Sequence, residues 1–213
     1  MKIVLFNGSP KKNGTTARAL NEVADAAVAA GAEAQIIHLQ QKDSDAVYGC
    51  TACLACRKRE QGCKYTEDVC NELVAAMAQS DGIVLGSPVY FASANGAMCS
   101  VLDRAFYSSF NHFVGKPGAS VAVCRRGGAS ATFDRLNKYF TFAQMPLVSS
   151  QYWNMVHGTN AQQAESDHEG LQTMRTLGRN MVQLIRAIEA GRVTGIEQPA
   201  PSPEDRLFTN FIR

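Results

Sequence analysis

Short apolar runs alternate along this chain with longer stretches in which apolar residues recur at every third or fourth position. The short runs predict buried β-strands, and the longer stretches predict amphipathic helices. Strands are predicted at 3–6, 34–39, 83–85, 121–123 and, less regularly, within 147–156. Helices are predicted from Thr15 to Gly31, from the polar cap 66–68 onward, at 96–107, at 132–142 and from Ser166 onward. The last of these begins with the spacing of a capping box, Ser166 followed by Glu169.

The order of these elements determines the expected fold. Five predicted strands alternate with five predicted helices, and parallel strands joined through helices form a sheet that is covered on both faces. We therefore predict an α/β domain over residues 1–190, with a cysteine-rich insertion at 40–66.

The final stretch, 191–213, differs from the domain before it. Its prolines, Pro199, Pro201 and Pro203, do not fit a continued helix, which predicts an extended arm. The residues close to the end are too apolar for a free terminus: Leu207, Phe208, Phe211 and Ile212. We expect these side chains to pack on the same domain or on a neighbouring subunit.

Composition narrows the classes of function. A hydrophobic content of 46% argues against a disordered chain, and 21 basic against 19 acidic residues argue against nucleic-acid binding through a basic face. The chain has no apolar run long enough for a membrane-spanning helix, and its first residues lack the apolar core of a signal peptide. These features predict a cytoplasmic protein with neither nucleic acid nor membrane as a partner.

The loop after the first predicted strand has the composition of an anion site. It contains Gly8-Ser9-Pro10-Lys11-Lys12-Asn13-Gly14-Thr15-Thr16. Such a loop brings hydroxyl groups, lysines and free backbone amides to a helix N-terminus, where a phosphate is favoured. Its spacing matches neither the P-loop nor the dinucleotide-binding glycine pattern. The alternative interpretation is that its polar side chains only cap the helix.

This loop resembles the FMN-phosphate loop of the flavodoxin-like NADPH-dependent FMN reductase family. A second segment, Gly86-Ser87-Pro88-Val89-Tyr90-Phe91, resembles the second flavin loop of that family, and the helix after it carries Leu102-Asp103-Arg104. The resemblance extends over about residues 1–190 in element order. It implies a three-layer flavodoxin-like sandwich with a five-stranded parallel sheet in the order 2-1-3-4-5.

The resemblance also implies which residues hold the flavin. The phosphate would be held by Ser9, Lys11, Asn13, Thr15 and Thr16. The ribityl chain and ring would lie along Pro88, Val89, Tyr90 and Phe91, and the ring's pyrimidine side would meet Cys124, Arg125, Gly127 and Gly128. No side chain is expected to act as a catalytic group, because the flavin performs the chemistry. Three alternatives stay open: Tyr90 and Phe91 as core residues, Arg126 as a solvated surface residue, and Asp103 with Arg104 as a structural ion pair.

Four of the seven cysteines, Cys50, Cys53, Cys56 and Cys63, lie within a short segment of the chain. Thiolates at two-residue gaps in a loop can converge on one centre, and four of them complete a [4Fe–4S] site. Reduced or redox-active thiols and a structural zinc site are the alternatives. The compact pattern between the second strand and second helix of an FMN fold resembles the iron-sulfur flavoproteins of anaerobic prokaryotes. That resemblance implies dimers or tetramers.

The other candidate ligands receive simpler interpretations. Cys70, Cys99 and Cys124 are expected to be small buried residues, with Cys70 as the one plausible substitute ligand. His157 is expected to be packed or solvent-facing rather than part of an active site.

The leading functional hypothesis is an FMN-dependent oxidoreductase with an attached iron-sulfur cluster. Electrons would enter from NAD(P)H or a ferredoxin and leave to a small acceptor such as a quinone. The alternatives are a non-enzymatic FMN and iron-sulfur electron carrier, and a zinc-stabilised binding module whose flavin-like loop is not used.

Overall fold

A computed structural model describes residues 1–40, 46–197, 199–200, 207 and 209. The strands are β1 (Lys2–Asn7), β2 (Glu33–His38), β3 (Gly82–Tyr90), β4 (Ser93–Ala94), β5 (Gly118–Cys124) and β6 (Met155–His157). The α-helices are α1 (Thr15–Ala29), α2 (Cys70–Gln79), α3 (Gly96–Ser109), α4 (Ala129–Phe142), α5 (Ala161–Glu165) and α6 (His168–Val193). Two short 3-10 helices, Ala55–Lys58 and Phe110–His112, complete the regular structure of these residues.

The sheet has the predicted topology. Its parallel strands lie in the order β2-β1-β3-β5-β6, and β4 pairs antiparallel with the end of β3. Without β4, this is the predicted order 2-1-3-4-5, so the doubly wound arrangement is confirmed and the strand count is six rather than five. The sequence does not reveal β4 because a strand of two residues is too short to show a period.

Helices cover both faces of the sheet, as predicted. On one face α1 and α6 bury an aliphatic cluster that includes Leu5, Leu20 and Met181. The opposite face is covered by α2, α3 and α4 around Phe6, Leu85 and Phe106. Full burial of each large apolar side chain stabilises the fold by about 1.5–3 kcal/mol, which explains why the apolar stripes of the helices face the sheet.

The third strand is longer than the sequence predicts. The segment Gly86-Ser87-Pro88 was expected to end it, but β3 continues to Tyr90. Pro88 is tolerated because pairing with β1 stops at Gly86 and pairing with β4 starts only at Val89, so a proline at this position interrupts neither of these two ladders.

Two predicted helix caps are also wrong. Helix α2 begins at Cys70, where the Asp68 carboxylate accepts the Cys70 N–H at 3.1 Å, rather than at Thr66. Helix α6 is capped by Asp167, whose carboxylate accepts the Gly170 N–H at 2.9 Å, rather than by Ser166. At α6 the charged carboxylate replaces the Ser166 hydroxyl as the cap, whereas the N-cap of α2 is Val69 and no side chain caps that helix.

The C-terminal arm falls largely outside the described residues. Helix α6 ends at Val193, and Leu207 is exposed. The predicted packing of Phe208, Phe211 and Ile212 concerns residues that the structure does not describe. None of the described helices combines the length and apolar character that crossing a membrane requires.

Candidate functional site

The carboxyl ends of β1, β3, β5 and β6 meet at one pocket of about 520 Å³. It is lined by Ser9, Lys11, Asn13, Gly14, Thr15, Thr16, Pro88, Val89, Tyr90, Val123, Cys124, Arg125, Gly158, Thr159, Asn160 and Ala161. The pocket thus brings together most residues that the family resemblance assigns to the flavin. Two of the lining residues are cationic and none is acidic, so the lining suits an anionic ligand.

The loop between β1 and α1 is held in shape by Asn7, the last residue of β1. Asn7 is fully buried, and its amide oxygen accepts the backbone N–H of Ser9 at 3.1 Å. Its amide nitrogen donates to the Lys12 carbonyl at 3.4 Å and to Nδ1 of His38 at 3.1 Å. The Ser9 hydroxyl in turn accepts the Lys11 N–H at 3.1 Å. The roles of Asn7 and His38 are not predictable from the sequence, because the last residue of a strand gives no separate signal.

The first turn of α1 is open to an anion. Its N-cap is Gly14, no side chain caps the helix, and the first turn contains no acidic residue. The alternative that the loop's polar side chains only cap α1 is therefore wrong. Thr15 and Thr16 are buried at the floor of the loop. Because the first backbone N–H groups of a helix have no internal partner and lie at the positive end of its dipole, they favour a phosphate.

Close packing against α3 explains why the loop between β1 and α1 begins with a glycine, Gly8. The Gly8 N–H donates to the Gly86 carbonyl at 2.8 Å and so joins the first loop to β3. A Cβ at Gly8 would lie 2.0 Å from the Met98 sulfur on α3. The loop can therefore approach α3 this closely only if residue 8 has no side chain.

The second loop is a tight hairpin between β3 and β4. Phe91 and Ala92 occupy the turn with positive φ angles of 48° and 58°. This is the backbone of a two-residue hairpin turn, which normally uses Asn and Gly. Tyr90 and Phe91 are exposed, so their interpretation as core residues is wrong; Tyr90 lines the pocket, whereas Phe91 lies outside its lining.

The third loop follows β5 and divides into two parts. Cys124 and Arg125 line the pocket, whereas Gly127 and Gly128 do not. Gly128 has a positive φ of 88°, and a Cβ there would lie 2.7 Å from Cα of Ala92. Gly128 therefore packs against the β3–β4 hairpin and supports the pocket wall from outside. Arg126 is exposed, in agreement with its interpretation as a surface residue.

The fourth part of the lining follows β6 and was missed by the sequence analysis. Asn160 caps the short helix α5 by accepting the Gln163 N–H at 2.9 Å, and Thr159 donates its own N–H to the Gln163 side chain at 2.9 Å. The available signal was the sequence Gly158-Thr159-Asn160, a turn and cap directly after the last strand. The neighbouring His157 is half-exposed beside Asp167, which agrees with a solvent-facing histidine.

The four clustered cysteines line a second, narrow pocket of about 20 Å³. Cys50 and Cys53 are exposed, Cys56 is half-buried and Cys63 is buried. The backbone N–H of Ala55, then the Thr51 hydroxyl and the positive charge of Lys64, lower the pKa of the Cys53 thiol. Within the described parts of the chain, no three Cys, His, Asp or Glu side chains are arranged around a position for a single metal ion.

Of the three remaining cysteines, Cys70 and Cys124 are buried as predicted, whereas Cys99 is half-buried. Burial raises the pKa of Cys70 to about 12, and burial also raises the pKa values of Cys99 and Cys124. Cys70 is fully buried, and its thiol lies 3.7 Å from the Val101 carbonyl as a hydrogen-bond donor. It has the surroundings of a structural cysteine.

Asp103 and Arg104 are not paired with each other, contrary to the prediction. Asp103 accepts the Tyr139 hydroxyl at 2.6 Å and pairs with Arg135. Arg104 instead forms a buried ion pair with Asp68, which lies just before α2. The two residues point away from each other because neighbours on a helix face different directions.

The chain resembles known proteins in both sequence and structure. Residues 1–160 match the family model described as NADPH-dependent FMN reductase. An iron-sulfur flavoprotein of Methanocaldococcus jannaschii is 29% identical over 197 residues, which cover 89% of this chain and 100% of the relative.

Two solved structures show the same fold. A flavodoxin, WrbA-like protein from Agrobacterium tumefaciens has a TM-score of 0.61 and 16% identity, covering 87% of this chain and 97% of that one. An NAD(P)H:quinone oxidoreductase from Methanothermobacter marburgensis has a TM-score of 0.64 and 14% identity, covering 85% and 96%. With a family match over residues 1–160 and a flavodoxin-like sheet, the chain belongs to the NADPH-dependent FMN reductase family of flavin-binding oxidoreductases.

Proposed function

We propose that this protein binds FMN in the pocket at the sheet edge and passes electrons from NAD(P)H, through FMN and a [4Fe–4S] cluster, to a small acceptor such as a quinone. The observation that carries the proposal is the open, uncapped first turn of α1 beneath a loop shaped by Asn7. The family to which the chain belongs supports FMN and NADPH as its ligands.

The pocket fits FMN in its chemistry. Thr15, Thr16 and the backbone amides of the first turn would hold the phosphate, with Lys11 supplying positive charge. Pro88, Val89 and Tyr90 would lie beside the ribityl chain and ring, and Arg125 would face the pyrimidine side. A positive group there would favour the reduced, more negative flavin. Phe91 is exposed at the hairpin tip and follows Tyr90 of the pocket lining directly in the chain.

The cysteine pocket suits a cluster because of its four thiol ligands rather than because of its volume. Cys50, Cys53, Cys56 and Cys63 all line it, which places four thiols in one pocket. A four-iron cluster takes one thiolate for each iron, so its ligands need not surround a common ion as zinc ligands do. The Methanocaldococcus relative, named an iron-sulfur flavoprotein, supports the cluster assignment.

The donor and the acceptor would use the same face of the flavin. Both would have to reach the flavin ring in the same pocket, so we expect NAD(P)H to bind over the flavin and leave before the acceptor enters. This order predicts ping-pong kinetics. A quinone acceptor is supported by the fold shared with an NAD(P)H:quinone oxidoreductase.

A second candidate, a non-enzymatic electron carrier, is favoured by one observation. Cys50 and Cys53 are exposed, and a cluster held at the surface can exchange electrons with a protein such as a ferredoxin. Steady-state oxidation of NAD(P)H with a quinone distinguishes the two candidates, because the carrier would show no such turnover.

The central experiment compares Cys53→Ala with Cys99→Ala after anaerobic purification and reconstitution with iron and sulfide. We expect the unchanged protein to contain FMN, iron and sulfide, and Cys53→Ala to lose iron and sulfide while it keeps its FMN absorption. Cys99, a half-buried cysteine outside both pockets, serves as the matched control and should keep both chromophores. Zinc in place of iron, or equal loss of FMN and iron from Cys53→Ala, would contradict the proposal.

A further inference from the structure

One guanidinium group joins the two ends of the cysteine segment. Arg104 belongs to α3, and its side chain is 1% exposed. Its Nη1 donates to the Tyr48 carbonyl and its Nη2 to the Tyr65 carbonyl, both at 3.0 Å. Tyr48 precedes the first clustered cysteine and Tyr65 follows the last one, so Arg104 closes this segment into a loop against α3.

The same guanidinium contacts one cysteine directly. Nε of Arg104 donates to Sγ of Cys63 at 3.3 Å. Asn71 fixes the backbone of Cys63, because its side chain accepts the Cys63 N–H at 2.7 Å and donates to the Cys63 carbonyl at 3.0 Å. Cys63 is therefore buried and held at both its sulfur and its backbone, whereas Cys50 and Cys53 are exposed.

The charge of Arg104 is balanced within the fold. The Asp68 carboxylate, with a side chain that is also 1% exposed, forms an ion pair with Nη1. An arginine guanidinium is not deprotonated in proteins, and the buried Asp68 carboxylate supplies the opposite charge. The group therefore stays a cation, and it keeps its Nε–H as a donor toward sulfur.

We propose that Arg104 is a positioning residue of the cysteine site: it holds Cys63 in place for the cluster, and its N–H···S bond makes the cluster easier to reduce. This inference rests on the cluster assignment in the proposed function. Hydrogen bonds to ligand sulfurs are among the factors that set the reduction potential of iron-sulfur clusters. Reduction adds one negative charge to the cluster, and a donor aimed at Sγ stabilises that charge.

The test uses Arg104→Lys, with Arg135→Lys as the matched control. Lysine keeps the positive charge and can pair with Asp68. It lacks the three guanidinium nitrogens that donate to Tyr48, Tyr65 and Cys63 at the same time. Arg135 also pairs with an aspartate of α3, Asp103, but lies outside the lining of both pockets. Each reconstituted protein is titrated anaerobically with dithionite, which gives one electron to each cluster and is oxidised to sulfite. The reduction potential of the cluster, the iron content and the FMN content are measured for each protein.

We expect Arg104→Lys to keep its FMN and either to show a more negative cluster potential than the unchanged protein or to lose iron selectively. Arg135→Lys should match the unchanged protein in all three measurements. An unchanged potential together with unchanged iron content in Arg104→Lys would overturn the inference. Loss of both iron and FMN in Arg104→Lys would also overturn it, because Arg104 would then support the whole fold. Absence of iron from the unchanged protein would instead overturn the cluster assignment itself.

Discussion

At the scale of single residues, Asn7 connects the sheet to the loop that would receive the phosphate. It is fully buried, and its side chain accepts from Ser9 and donates to Lys12 and His38. A buried amide that makes these bonds fixes one conformation of the loop, because each bond lost would leave a desolvated polar group unpaired. The shape of the anion site therefore depends on a side chain that need not touch the ligand.

Substitution of Asn7 tests this dependence. We expect Asn7→Ala to weaken FMN binding at least tenfold and to lower stability by about 1–3 kcal/mol, because the Ser9 N–H and the Lys12 carbonyl lose their partner. Titration of the flavin-free protein with FMN and urea denaturation measure the two effects. The control, Asn154→Ala, alters another buried asparagine that does not line the pocket, and it should reduce stability without changing FMN affinity. Unchanged FMN binding by Asn7→Ala would contradict this role.

His38 makes the same network sensitive to pH. Burial, followed by the nearby charge of Lys12, lowers the pKa of His38 below its ordinary 6.5. Its Nδ1 accepts from Asn7 only while that nitrogen carries no proton. As the pH falls below about 6.5, the unfolded chain binds a proton at His38 before the folded chain does, so the folded state loses stability.

We therefore expect both the melting temperature of the flavin-free protein and its FMN affinity to fall between pH 7.5 and pH 5.5, and part of this fall to disappear in His38→Gln. Thermal denaturation and FMN titration across this pH range measure the effect. His168→Gln, at an exposed position on α6, is the control and should keep the pH dependence of the unchanged protein. A His38→Gln variant with the full dependence would show that another group is responsible.

At the scale of elements, the pocket depends on how the β3–β4 hairpin packs against the loop after β5. Phe91 and Ala92 hold positive φ angles without the aid of glycine, a conformation that costs about 1–2 kcal/mol for each such residue. Gly128 lies directly beneath this turn, and a Cβ there would meet both Ala92 and Val89 at 2.7 Å. The contact keeps the strained turn in place next to the pocket.

The two adjacent glycines of the third loop provide a matched pair for a test. Gly128→Ala should lower stability by at least about 1 kcal/mol and weaken FMN binding, because its positive φ disfavours a side chain and the new methyl group would push the hairpin away. Gly127→Ala should change stability little, since a Cβ there meets no atom within 4 Å. Denaturation curves and FMN titrations of both variants measure the difference. Equal effects of the two substitutions would contradict this account of the hairpin.

The elements also show what the sequence can predict. The strands, the main helices and the sheet order follow from apolar periodicity, because each element buries one face against the sheet. The predicted end of β3 and the predicted starts of α2 and α6 are wrong, because they depend on other elements. Strand β3 continues past the point where its pairing with β1 stops, and Asp68 and Asp167 near the two helix starts are held by Arg104 and by the His157 N–H. Likewise, no local pattern could pair Arg104 with Asp68, which is distant in sequence.

At the scale of the whole molecule, two candidate redox sites are built on one sheet. The flavin pocket uses the carboxyl ends of the strands, while the cysteine pocket lies in the long connection between β2 and α2 and is held by α3.

Exposed aromatic side chains, among them Tyr107, Phe142 and Trp153, lie outside the flavin pocket. The predicted dimer or tetramer would cover some of this apolar surface. Measurement of the molar mass in solution by light scattering would reveal the number of subunits.

FMN binding as proposed depends on the loop between β1 and α1 as the site for the phosphate. The most direct test is a calorimetric titration of the flavin-free protein with FMN and, separately, with riboflavin, which has the same ring and ribityl chain but no phosphate. We expect FMN to bind at least about a hundredfold more tightly than riboflavin, because only FMN engages the first turn of α1. Equal affinities for FMN and riboflavin would contradict this expectation.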